Sequence, residues 1–183
     1  EPAARGFSGD QWIAYQDRLV TEARKSAPQH TLICNTGGWM NYTDLKYDPP
    51  MDRNILIAVH YYEPMQFTHQ GVMSMRDWYR PLRNVPWPCD ASNLQQAIDS
   101  LDRTGKDKDI ADHSALVLRN MVDKGMGTAQ HVADAFDEIS AYAKKYDVDI
   151  IINEFGVRRP YAKDDDVTRW LAAVRTAAES RGF

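Results

Sequence analysis

Cysteine is scarce in this 183-residue chain, which holds only Cys34 and Cys89. A framework of several disulfides, of the kind that staples small loop-rich domains, is therefore excluded. One bridge between the two remains open. Cys34 falls in a predicted strand and Cys89 in a proline-rich loop, so two buried or half-buried free thiols are the expectation. No apolar run approaches the roughly 20 residues that a membrane-crossing helix needs, and no membrane is expected as a partner. An excess of positive charge is missing too. Lys and Arg number 22 against 26 Asp and Glu, a net charge of −4, and basic residues cluster only in small pairs such as Arg158-Arg159. That argues against nucleic acid as the main partner. The five histidines lack zinc-site spacing, and His60 and His69 stand too far apart for the i, i+4 metal pair of a helix. No metal and no cofactor is expected. Neither a repeat at solenoid spacing nor a low-complexity tract is visible. No leader segment is visible either, and its absence says nothing about secretion.

What is present is an ordinary globular composition, 43% apolar and 26% charged, of a length that favours one domain. Ser8-Gly9-Asp10-Gln11 reads as a capping box, and Trp12, Tyr15, Leu19 and Ala23 then give one apolar helical stripe. Pro28 closes that helix. A short strand over 31–35 follows, and then a turn-rich loop, Thr36-Gly37-Gly38-Trp39. The next strand spans 54–60. Its run Ile55-Leu56-Ile57-Ala58-Val59 is continuously apolar, the mark of a parallel strand covered on both faces. Residues 61–127 form a long connection of the sort that is usually functional, with short helices near 91–101 and 110–122 and a solvated turn at Lys106-Asp107-Lys108-Asp109. A helix over 128–146 buries Val132, Phe136, Ile139 and Ala143. A third strand spans 148–153, and a last helix, 164–181, buries Val167, Trp170, Leu171 and Val174 and is acidic at its start, as the helix dipole favours. Serial alternation of helix and strand implies an α/β fold with a parallel sheet. Three strands neither close a barrel nor make a stable open sheet, so the chain reads as a piece of a larger domain.

The strand ends carry the chemistry. Asn35 and Trp39 follow the first strand, His60-Tyr61-Tyr62-Glu63-Pro64 the second, and Asn153-Glu154-Phe155-Gly156 the third. In a (β/α)8 barrel all of these would surround one pocket at the C-terminal face of the strands. Glu1-Pro2 reads as the tail of another such strand end and supplies a second carboxylate. Two facing carboxylates are what glycoside cleavage requires: one protonates the leaving oxygen, and the other attacks, or activates water at, the anomeric carbon. A tyrosine hydroxyl beside the nucleophile stabilises its charged form, and exposed tryptophans offer flat apolar faces to sugar rings. Trp12 and Trp170 lie on buried stripes and read as core.

Taken in order, Glu1-Pro2, Val59-His60-Tyr61-Tyr62-Glu63-Pro64, Phe67-Thr68-His69-Gln70-Gly71 and Asn153-Glu154-Phe155-Gly156 resemble glycoside hydrolase family 5, the cellulase family. The likeness is closest to bacterial endoglucanase-like members that carry a Phe-Thr-His-Gln-Gly loop. Any one tetrapeptide is weak; four in order, each at a strand end or the loop beyond it, are specific. The resemblance implies a partial (β/α)8 (TIM) barrel, roughly strands 5 to 7 with their helices, so that residues 1–183 are the C-terminal portion of one catalytic barrel. It implies retaining hydrolysis of a β-linked polysaccharide, with Glu154 as nucleophile and Glu1 as acid/base. It gives His60 and Tyr62 the roles of the family's His-x-Tyr, Trp39 that of a sugar-stacking residue, and His69 a weaker place at the cleft lip. A secreted or periplasmic location follows from the same likeness. Departures are also present. The asparagine that would precede Glu1 and the tryptophan of strand 8 are absent, Asn153 stands where glycine is commoner, and Met73-Ser74-Met75 replaces a tryptophan whose platform would pass to Trp78 or Trp87. Open alternatives are a β-mannanase or β-1,3-glucanase, a non-catalytic carbohydrate-binding half-barrel, and a half-barrel completed by a complementary fragment or a second copy of itself, which would cover its sheet edges.

Overall fold

A computed structural model describes residues 6, 9–105, 108–159 and 161–183. In chain order its elements are α1 (Gly9–Ser26), β1 (Leu32–Cys34), β2 (Ile55–Tyr61), α2 (Met65–Thr68), α3 (Leu94–Asp99), α4 (Lys108–Asp123), α5 (Ala129–Tyr146), β3 (Asp149–Phe155) and α6 (Asp164–Glu179), with 3-10 turns at Tyr42–Asp44 and Asp77–Tyr79. The chain divides into two compact units. The first holds the described residues up to Tyr61, with Ala135–Phe155 and Ala178–Phe183; the second holds Tyr62–Asp134 and Gly156–Ala177.

The first unit is built on a parallel sheet of three strands in the order β1-β2-β3. Side chains alternate between the two faces of a strand, so the ladder sorts them. Ile55, Ile57, Val59 and Tyr61 share one face and are each at most 5% exposed. Cys34 and Ile150 stand beside Ile57 in register, and both are buried. Phe136 and Ile139 of α5 are fully buried, and the Phe136 ring meets Tyr61 edge-on at 5.1 Å. Each such aliphatic or aromatic side chain contributes about 1.5–3 kcal/mol of burial. The opposite face carries Ile33 beside Leu56, Ala58 beside Ile151, and His60 beside Glu154.

Helix α1 does not bury the expected stripe. Trp12, Gln16 and Val20 face inward, while Tyr15 and Leu19 are 43% and 45% exposed. The phase is set by a polar residue. Gln16 Nε2 donates to the Asn35 carbonyl at 2.6 Å, and the Asn35 amide donates to Gln16 Oε1 at 3.0 Å. A buried amide with both ends paired is tolerated where an unpaired one is not. At the other end of the helix, Arg24 grips both oxygens of Asp52 at 2.7 and 2.8 Å and the Asn54 carbonyl at 2.8 Å, tying α1 to the start of β2.

The second unit has its own core, in which Leu82, Val85, Leu118 and Met121 are the most deeply buried members. The long connection is thus a folded body. Lys108 and Asp109, expected in a solvated turn, open α4, and residues 106–107 lie outside the described set. Arg169 donates to the Trp87 carbonyl at 2.9 Å, and Trp170 donates to the Glu63 carbonyl at 3.1 Å. Both cysteines are free and buried. Burial pushes the thiol of Cys34 up to about 11 and that of Cys89 up to about 12, which leaves both protonated and inert at neutral pH. Among the described residues, no helix is long and apolar enough to cross a membrane, and no group of three or more His, Cys, Asp or Glu is placed to hold a metal ion.

Candidate active site

The site begins with a break in the ladder. Val59 pairs with Ile152, but His60 pairs with Glu154, so the register skips Asn153. An extra residue in one strand is a β-bulge, a device concentrated next to active sites. Its consequence here is parity. In an unbroken ladder Asn153 would pair with His60, and Glu154 would stand beside Tyr61 and point to the face packed by Phe136. With the bulge, Glu154 shares the face of His60. The two side chains meet there: His60 Nε2 lies 3.4 Å from Glu154 Oε2. This is longer than a well-formed N–H···O bond. The imidazole is 8% exposed and the carboxylate 43%, so a buried imidazole stands behind an accessible carboxylate. Strand β3 therefore runs through Glu154 to Phe155 and does not stop at Asn153 as the sequence suggests.

The end of β1 is fixed from α1. Asn35 Oδ1 accepts from Trp12 Nε1 and from the Gly37 amide, both at 2.8 Å. The loop then runs beside the end of β2, where the His60 amide donates to the Met40 carbonyl at 2.7 Å and Asn41 bridges His60 in parallel. Trp39, at the tip, is 65% exposed. His60, Glu154 and the Trp39 loop thus belong to one unit and one end of the sheet.

The second unit carries Tyr62 and His69 together. Their rings meet edge-to-face at 5.1 Å. Thr68 Oγ1 donates to the Tyr62 carbonyl at 2.6 Å and lies 2.8 Å from His69 Nδ1. A hydroxyl has one proton to give; with it committed to the carbonyl, Nδ1 must be the donor to Oγ1. His69 is therefore held as the Nδ1–H tautomer. Burial, with the nearby Arg158 guanidinium, pushes its pKa down, so the ring is neutral at physiological pH. His69 is packed against Tyr62 and half-buried rather than standing free at a lip. The rest of the Phe-Thr-His-Gln-Gly loop is scaffold. Gln70 is fully buried, donates to the Phe67 carbonyl at 3.0 Å and accepts from the Val85 amide at 2.8 Å. Gly71 sits at φ +68°, where a Cβ would come within 2.3 Å of the Tyr161 ring.

Neither substitute stacking platform is presented to a ligand in the expected way. Trp87 is 2% exposed, its ring 5.7 Å from that of Phe67. Trp78 packs on the core of the second unit and lies 3.8 Å from the Tyr79 ring. Glu1, the expected acid/base, lies outside the described residues. Asp44, whose carboxylate lies close under Gly38, escaped sequence reasoning because nothing in the pattern around it marks a loop anchor.

The profile of the cellulase family, glycosyl hydrolase family 5, matches residues 1–182. The chain belongs to that family. Its fold is α/β, a partial (β/α)8 barrel comprising roughly strands 5 to 7 with their helices, and β1, β2 and β3 take those places. Among curated proteins, Endoglucanase 3 of Fibrobacter succinogenes is 25% identical over 170 residues, covering 92% of this chain and 25% of the relative. A solved endoglucanase superposes with a TM-score of 0.71 at 22% identity, over 99% of this chain and 47% of that one. A hyperthermophilic endo-β-1,4-glucanase, solved in complex with substrate, gives a TM-score of 0.66 at 25% identity over 99% of this chain and 46% of its own. The chain thus spans about a quarter of the curated relative and just under half of the solved ones.

Proposed function

We propose that this chain carries the nucleophile half of a retaining endo-β-1,4-glucanase. The observation that supports this best is the bulge-dependent pairing of Glu154 with His60 at 3.4 Å, at the open end of a parallel sheet. Glu154 attacks the anomeric carbon of a bound β-glucan and forms a covalent glycosyl-enzyme; the glycosidic oxygen leaves with a proton from the acid/base. Water deprotonated by that same acid/base then releases the sugar with retained configuration. Glu1 takes the acid/base part. His60 holds the carboxylate in place and Trp39 stacks on a sugar ring; Tyr62 and His69, packed on one another, take the substrate-binding parts that the family's pattern gives them. Because the chain covers under half of each solved relative named above, turnover belongs to the completed barrel and the isolated chain hydrolyses no glucan. A polymeric β-glucan, too large to enter a cell, supports a secreted or periplasmic location.

The test is Glu154→Gln and Glu154→Ala in a barrel completed to the length of its relatives. Loss of a covalent nucleophile removes at least about 10³-fold of kcat, while far-UV circular dichroism stays unchanged. Added azide restores turnover of an activated aryl cellobioside by Glu154→Ala and yields the α-glycosyl azide. Retained activity in Glu154→Gln removes this residue from the mechanism. Faster turnover of mannan or β-1,3-glucan than of β-1,4-glucan by the wild type changes the substrate class and leaves the double displacement standing.

A further inference from the structure

We infer that Asp44 is a positioning residue for the sugar platform: its carboxylate clamps the Gly37-Gly38-Trp39 turn from beneath and fixes the Trp39 indole relative to His60. The inference rests on the reading of Trp39 as a stacking residue and adds the device that holds it.

Trp39 presents an exposed indole on a backbone that is anchored on several sides. Asn35 Oδ1 takes the Gly37 amide, and the Met40 amide returns to the Gly37 carbonyl at 3.2 Å. The Met40 carbonyl takes the His60 amide. The Asp44 carboxylate lies against this backbone, and the Trp39 and Asn41 amides favour its charged form. Asp44 is brought under the turn by the 3-10 segment Tyr42–Asp44, which Asn41 caps through the Thr43 amide at 3.0 Å. The approach is close enough to dictate the sequence above it. Gly38 sits at φ +58°, and a Cβ there would stand 2.4 Å from Asp44 Oδ2. Only glycine suits both that backbone and that contact. Burial pushes the Asp44 carboxyl up, opposed by those two amides and by Lys46, so the fold keeps a carboxylate where water would serve it better. A loop that merely covered the strand ends would leave its amides to solvent.

The chain distinguishes this from a generic structural role through its coupling to Trp39. In hydrogen exchange, the Trp39 amide of the wild type is protected despite the exposed side chain. Asp44→Ala raises its exchange rate at least about tenfold, and Gly38→Ala, which drives a methyl into the same carboxylate, does the same from the other side. Asp44→Asn, with one acceptor oxygen, falls between. With cellohexaose as probe, Trp39→Ala and Asp44→Ala each raise Kd at least about fivefold, and the double variant is no worse than Trp39→Ala alone, as one shared contact requires. Should Asp44→Ala fail to fold, Gly38→Ala replaces it in both measurements. A Trp39 amide that exchanges freely in the wild type overturns the clamp. So does an Asp44→Ala chain that binds cellohexaose as the wild type does while Trp39→Ala binds weakly. Wild-type affinity in Trp39→Ala overturns the platform reading itself, and this inference with it.

Discussion

The two faces of the β2–β3 ladder are made of neighbouring residues and do opposite work. Ile57, Val59 and Tyr61 are wholly buried, and the Tyr61 ring meets Phe136 at 5.1 Å. Ala58 and His60, one residue away from each, look to the other side, where Ile33 is 60% exposed and Glu154 meets the imidazole. One face holds the sheet together and the other carries the residues proposed for the chemistry. The bulge at Asn153 sets on which of them Glu154 appears. The ends of the strands divide in the same manner. Near the start of β2, Arg24 and Asp52 form a two-pronged ion pair that serves stability; at its finish, His60 and Glu154 form a looser pair that leaves the acid reachable. Barrels of this family show that division in general, with function at the C-terminal ends of the strands and stability at the other.

The strongest way to break the comparison is to insert one alanine between Asn153 and Glu154. With the bulge kept at Asn153, the added residue takes the place beside His60, and Glu154 moves beside Tyr61 and turns toward the aromatic face as an unpaired carboxylate in a dry site. Removing the partner of a buried charge costs about 3–5 kcal/mol, so the insertion variant is expected to unfold or to lose most of its stability in urea. Deletion of Asn153 closes the ladder with Glu154 still beside His60 and is expected to keep that contact. An insertion variant with wild-type melting behaviour and an intact His60–Glu154 contact would show that the parity of β3 does not place the carboxylate.

Truncation separates the faces more gently. Phe136→Ala is expected to lose about 3–5 kcal/mol in denaturant titration, because the ring is fully buried against Tyr61. Ile33→Thr, on the open face, is expected to stay within about 0.5 kcal/mol of the wild type. Equal losses in the two variants would mean that the open face is covered in solution by a second copy or another polypeptide.

The stabilising end of the strands responds to acid. The Asp52 carboxyl is held down to about 2, chiefly by its hydrogen bonds to Arg24 and to the Asn54 amide. Its folded value lies below its unfolded one. The contribution is therefore complete above the ordinary aspartate range near pH 3.9, and it is lost as pH falls through that range toward 2. Asp52→Asn should flatten the acid limb of stability between those limits and change little at pH 7 beyond the lost pair. An unchanged acid limb would move the source of acid sensitivity elsewhere.

Much of this was legible in the residues. The order of strands and helices followed from periodicity, and the buried stripe of α5 followed from Phe136 and Ile139. What escaped did so for physical reasons. The phase of α1 is set by Gln16, a polar residue whose burial depends on a partner 19 positions away. The β3 bulge involves no glycine or proline to betray it, since Asn153 is an ordinary exposed strand residue. Trp87 looked available as a platform because sequence cannot tell a loop tryptophan that stacks on sugar from one that stacks on Phe67. The anchoring of Trp39 by Asp44 depends on a turn whose path is only visible once folded.

The central claim is that Glu154, turned to the open face by the bulge, is the group that bonds to sugar. It is tested most directly by inactivating the completed barrel with an activated 2-deoxy-2-fluoro-β-cellobioside and mapping the labelled peptide by mass spectrometry. The expected result is one fluoroglycosyl group on the peptide containing Asn153-Glu154-Phe155, attached to Glu154. A label on a different carboxylate, in an enzyme that still cleaves β-glucan with retention, would contradict the account.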